Sequence, residues 1–245
     1  MNDVRAAWPV RPNLWADRLT SYAFGVEAAI GQNPMRYLLA RRFDLTAPTS
    51  ALTMLFVMEP RVLFGTYVRI DEDPGGCRVQ TFLPTMARPV QVAEALMFDC
   101  LPLTDVGYLD LMAWPHPGLR ALPAADAGPA ADAGPAGTTR TLHYAGPDSV
   151  PTLRVHEVID LELSMVVERI FVRDGRPVRR WEIVERGVGQ ESLPLRIRVS
   201  RPPTGHETEF LRAGPPISVP QAVFDAEPVR LRDWVEHRLM DAGGT

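Results

Sequence analysis

The sequence contains no lysine: all 26 of its basic residues are arginine. That absence excludes Schiff-base catalysis, a Walker P-loop and a Ser-Lys dyad, each of which needs an amine on a flexible stem. The only two cysteines, Cys77 and Cys100, are too few for a disulfide framework and lack paired zinc-ligand spacing. The chain also lacks a surplus of positive charge, since its net charge is -4, and this argues against a nucleic-acid partner. No apolar run is long enough to cross a bilayer, and no apolar leader is seen in Met1 to Trp15, so a cytoplasmic protein without integral membrane association is expected.

Recognisable catalytic motifs are equally scarce. His156-Glu157 begins like a zinc helix, but Asp160 stands where the second histidine belongs. Gly187-Val188-Gly189 lacks a third glycine, and no G-x-S-x-G elbow occurs. Asp71-Glu72-Asp73-Pro74-Gly75-Gly76 has no bidentate carboxylate at the calcium-loop offset and reads as a hairpin turn. No cofactor and no metal are expected. The five histidines are scattered, and most are expected at the surface.

What is present is strand. With 46% hydrophobic and 23% charged residues, the 245-residue chain can bury a substantial core, and a single domain is expected. From Pro151 to Arg212 apolar and polar residues alternate with the period of two of a half-buried sheet, as in Leu193, Leu195, Ile197 and Val199 against Arg196 and Arg198. Ser164 to Arg173 and Val178 to Arg186 flank Asp174-Gly175-Arg176-Pro177 and predict a hairpin, with further breaks at Gly187 to Gln190 and Pro202 to Gly205. The interleaved Arg and Glu residues of this meander predict a solvated mixed-charge face.

Upstream, strands are predicted from Tyr22 to Ile30, Met35 to Leu45, Ser50 to Met58, Val62 to Ile70 and Cys77 to Leu83. Asp105 is placed to cap a short helix from Val106 to Ala113 that lies over the sheet. Pro115 to Thr139, with a tandem AADAGP repeat, reads as a flexible low-complexity insertion. Pro215 to Glu227 reads as irregular, and Pro228 opens a terminal helix whose stripe is Leu231, Trp234, Val235 and Leu239.

Large deformable residues gather in these strands and the helix over them. Met54, Phe56, Met58, Phe64, Tyr67, Phe82, Met86, Phe98, Tyr108, Met112 and Trp181 form the candidate lining of an apolar pocket, with Arg88 or Tyr67 for a polar head. The alternative is that these side chains simply pack on one another. Carboxylates and phenols near apolar segments (Glu59, Glu94, Asp99, Asp105, Tyr67, Tyr108, Asp110) are each explained by capping or a satisfied hydrogen bond.

Leu63-Phe64-Gly65-Thr66, then Phe82-Leu83-Pro84 followed by Arg88, then Phe98 and Thr104-Asp105-Val106-Gly107-Tyr108-Leu109-Asp110-Leu111, resemble the outer-membrane lipoprotein-sorting protein family. In that family a Gly-Thr strand, a Leu-Pro strand end and a Thr/Ser-Asp-x-x-Tyr-x-Asp-Leu stretch occur in this order, followed by a similar meander and a late Ile-x-x-x-x-Phe segment, here Ile217 to Phe224. The resemblance implies a mainly β fold: a strongly curved antiparallel sheet, an incomplete β-barrel, covered by short helices over a cavity for acyl chains. The function expected is binding of a hydrophobic or amphipathic small molecule, lipid or polyketide-like, in that half-barrel. An alternative is a biosynthetic cyclase or isomerase that uses the cavity to preorganise a flexible substrate, with Tyr67, Tyr108, Asp99 or Asp105 moving a proton.

Overall fold

A computed structural model describes residues 11–17, 19–30, 33–44, 46–47, 49–101, 104–123, 138–187 and 193–243. Among them the strands are β1 (Ser21–Ile30), β2 (Asn33–Phe43), β3 (Ala51–Glu59), β4 (Tyr67–Asp73), β5 (Gly76–Phe82), β6 (Val90–Gln91), β7 (Arg120–Leu122), β8 (Thr139–Ala145), β9 (Leu153–Asp160), β10 (Met165–Arg173), β11 (Arg176–Glu185), β12 (Arg196–Arg201) and β13 (His206–Ser218). The helices are α1 (Tyr108–Leu111), α2 (Gln221–Phe224) and α3 (Pro228–Gly243), beside two 3₁₀ turns, Arg61–Leu63 and Glu94–Phe98.

The strands form one antiparallel sheet in the order β6-β5-β4-β3-β2-β1-β13-β12-β11-β10-β9-β8-β7, which does not close into a barrel. Every neighbour is consecutive in sequence except at β1 beside β13, so the topology is two meanders joined at that pair. By its contacts the chain divides into two compact units, Met1–Trp15 with Glu94–Glu209, and Ala16–Ala93 with Phe210–Thr245.

In the Ala16–Ala93 unit the predicted strands β1, β2, β3 and β5 are present. The expected strand from Val62 is corrected: Arg61–Leu63 is a 3₁₀ turn, Gly65 has a φ of 90°, and the strand starts only at Tyr67. A left-handed residue breaks the extended run, and glycine is the residue that adopts it at little cost. Between β4 and β5 the turn is fixed by the Gly75 amide, which donates to the Asp73 carboxylate at 2.7 Å.

Registry puts Ala23 opposite Ala40 and Ala40 opposite Met54, and Leu38 opposite Phe56. These side chains share one face, which the C-terminal helices cover: Val219, Phe224, Leu231 and Val235 are buried against Leu52, Met54, Phe56 and Met58. Fully buried Leu231 and Val235 contribute roughly 1.5–3 kcal/mol each. The stretch before α3 is more regular than expected: β13 runs on to Ser218, and α2 follows.

In the Glu94–Glu209 unit β9 to β12 and the start of β13 form the predicted meander. Asp174 and Gly175 make the two-residue turn with φ of 51° and 75°. Pro177 is tolerated inside β11 because the register shifts there by one residue. Arg180, Arg196 and Arg198 pair with Glu168, Glu182, Glu185, Glu207 and Glu209 across one solvated face, as expected. The Gly187 to Gln190 break lies outside the described residues beyond Gly187. In the Pro115 to Thr139 segment Leu119 is buried and β7 pairs with β8, while the tandem repeat itself lies outside the described residues.

Candidate functional site

The helix expected from Asp105 is shorter than its pattern suggests. It is only the single turn α1, opened at Gly107, whose amide donates to the Asp110 carboxylate at 2.8 Å. Asp105 does not cap it. Its carboxylate accepts from Thr208 Oγ1 at 2.6 Å and lies 2.6 Å from His206 Nδ1, which fastens the segment to β13 instead.

The segment from Gly107 to Ala113 rests on a buried ionic seat. Arg169 pairs with Glu157 and donates to the Leu109 carbonyl at 2.8 Å; Arg179 pairs with Asp110 at 3.3 Å. Asn13 Nδ2 adds a bond to the Asp110 carbonyl at 2.6 Å. Two guanidiniums balance two carboxylates, all nearly without solvent contact. The expectation that the meander's arginines are all solvated is therefore corrected for Arg169 and Arg179, whose charges are held in place by partners. Burial pushes the Glu157 carboxyl above its ordinary range, with Arg169 opposing, and burial together with Glu157 pushes the Tyr144 phenol well up.

His116, His143 and His156 are also buried, correcting the expectation that most histidines lie at the surface. His143 and His156 face each other across β8 and β9 with their Nδ1 atoms 2.8 Å apart. Burial lowers the affinity of both for a proton. His116 Nδ1 accepts the Gly118 amide at 3.0 Å, so its ring is spent on a turn.

The candidate pocket residues fall in both units. Met54, Phe56 and Met58 belong to the buried layer beneath α2 and α3, with Tyr67 packed against it and Phe82 stacked on Tyr67 at 5.2 Å. Phe64 is half exposed beneath the guanidinium of Arg232, Met86 is half-buried, and Arg88 is exposed. In the other unit Phe98 packs on His116, Trp181 lies near Arg169, and Tyr108 and Met112 are buried.

The proton-transfer set gains no support. Asp99 is at the surface beside Arg173 at 3.1 Å, and Asp105 is occupied by Thr208 and His206. Burial raises the Tyr108 and Tyr67 phenols, and Tyr67 belongs to the other unit.

One feature went unread in the sequence: a groove of about 460 Å³ along α3, lined by Ile217, Ser218, Pro220, Trp234, Arg238 and Asp241. Ile217 and Trp234 also pack against the buried cluster that includes Ala23, Met54, Phe56 and Met58, so the groove borders that cluster. The helical stripe through Trp234 was the only signal for it, because the strand residues opposite lie in a stretch that reads as irregular.

No family model matches the chain, and no characterised protein matches it by sequence. Solved structures do. A putative outer membrane lipoprotein-sorting protein domain from Vibrio parahaemolyticus aligns over 91% of this chain and 93% of that one, with a TM-score of 0.67 at 12% identity. A LolA superfamily protein from Nitrosomonas europaea aligns over 90% and 96%, with a TM-score of 0.62 at 12% identity. The fold is LolA-like. A DUF1329 family protein from Desulfovibrio piger shares it too, with a TM-score of 0.65 and 13% identity over 88% of this chain and 92% of that one.

The fold expected from the resemblance is thus the fold present: mainly β, an open antiparallel sheet with few short helices. The expected cytoplasmic location is corrected. It rested on the apparent lack of an apolar leader, whereas a protein that shares this fold is described as a putative outer membrane lipoprotein-sorting protein domain. Among the described residues, no helix is long and apolar enough to cross a membrane.

Proposed function

We propose that this LolA-like protein binds a hydrophobic or amphipathic small molecule, with the tail entering the layer between the β1 to β4 face and helices α2 and α3. One observation carries the reading: Ile217 and Trp234 line the groove and also pack against the buried cluster to which Met54, Phe56 and Met58 belong, so the groove borders that cluster, and in this reading the tail enters it by a shift of α3. Methionine suits this role because its unbranched thioether repacks at little cost. Transfer of apolar area from water supplies the affinity, at roughly 25 cal/mol per Å². Tyr67 and Phe82 extend the same apolar wall, and Phe64, Met86 and exposed Arg88 belong to the loops beyond it.

The fold neighbours support a lipid as ligand, since one of them is described as a lipoprotein-sorting domain. Lipid extraction of the purified protein followed by mass spectrometry tests the reading, beside titration with a single-chain apolar fluorophore. A stoichiometric apolar compound, or saturable dye binding displaced by fatty acid, is the expected result. Neither extracted lipid nor saturable dye binding would remove the proposal.

A further inference from the structure

Trp234, Arg238 and Asp241 stand at i, i+4 and i+7 of α3 and so form one stripe, which makes one wall of the groove opposite Ile217, Ser218 and Pro220. The Arg238 guanidinium lies 5.7 Å from the centre of the Trp234 ring, and Asp241 lies 3.8 Å from His237. The groove therefore combines apolar lining from Ile217, Pro220 and Trp234 with one cation and one anion a single helical turn apart. A purely anionic head meets Arg238 but is repelled by Asp241, and a purely cationic head meets the reverse. A head with both charges satisfies both side chains.

We propose that the groove selects an amphiphile with a zwitterionic phosphoethanolamine-type head, its phosphate toward Arg238 and its ammonium toward Asp241. Arginine presents a planar fork that matches phosphate oxygens, and neighbouring positions on a helix suit a head whose charges are two carbons apart. The inference rests on the reading above, in which the tail of the same molecule enters the methionine layer.

Calorimetric titration of the full chain with four probes, each below its micelle concentration, tests it: lauroyl lysophosphatidylethanolamine, lauryl phosphate, neutral monolaurin and free phosphoethanolamine. The lysolipid is expected to bind about tenfold more tightly than monolaurin or lauryl phosphate, which is the scale of one well-placed charge contact. Free phosphoethanolamine is expected not to bind. Arg238→Gln and Asp241→Asn, both at exposed positions, should each bring the lysolipid to within about twofold of monolaurin measured on the same variant. Equal affinity for lysolipid and monolaurin, or for lysolipid and lauryl phosphate, would overturn the head assignment and leave the apolar-ligand reading standing. Free phosphoethanolamine binding as well as the lysolipid would overturn it too. If no chain-bearing probe binds, both fall.

Discussion

The guanidinium of Arg179 rests on the backbone of Gly107, filling the space a β-carbon would take. The same guanidinium stacks on Phe171 at 3.9 Å and pairs with Asp110, so it is held from three sides. Gly107→Ala therefore has no room to relax and should destabilise the protein by about 1–3 kcal/mol, the range for forcing a methyl into a packed site. Urea denaturation checks this; a loss below a few tenths of a kcal/mol would show that the guanidinium moves aside freely.

Arg169 holds the seat together, joining Glu157 to the Leu109 carbonyl. Arg169→Met should cost about 3–5 kcal/mol, because the Glu157 charge, which burial already disfavours, loses the partner that offsets that burial. Adding Glu157→Gln should recover part of the loss by removing that charge. If the double variant is no more stable than Arg169→Met, the cost lies in packing and the electrostatic account is wrong.

The His143 and His156 pair gives a pH dependence of known sign. Burial lowers both proton affinities in the folded chain, so the unfolded chain binds protons more readily. Their contribution is full above the unfolded value of about 6.5 and is lost as the pH falls below it. Melting temperatures measured between about pH 7 and pH 5 should fall less steeply for His143→Gln than for the native chain. An unchanged slope would mean that these rings are not the groups titrating.

Leu231 and Val235 fasten α3 to the methionine layer. Leu231→Ala should lower stability by about 2–5 kcal/mol, as for other buried leucines cut to alanine. Because α3 covers the proposed tail site, the same variant should bind an apolar dye more readily than the native chain. Loss of stability without any gain in dye binding would argue that α3 is a fixed part of the core.

Much of this architecture is legible in the sequence. Alternation of apolar and polar residues places the strands of the Pro151 to Arg212 meander, and Asp174-Gly175 marks its hairpin, because period and turn chemistry are local properties. Which face an arginine occupies is not local. Arg169 and Arg180 look alike in sequence, yet one lies beneath the segment carrying Leu109 and Asp110, which is distant in sequence, and the other faces water. The buried histidines escape notice for the same reason. Met54, Phe56 and Met58 are readable as a deformable apolar set, but that α2 and α3 cover them follows from long-range packing alone.

The central claim is that an apolar tail enters the layer around Met54 and Met58. Methyl-labelled methionine spectra, recorded as the full chain is titrated with lauroyl lysophosphatidylethanolamine, report on that place directly. The account predicts saturable shifts of the Met54 and Met58 methyl signals while Met97 and Met112, buried in the other unit, hold still. Shifts confined to Met97 and Met112, or no saturable shift at any methionine, would contradict it.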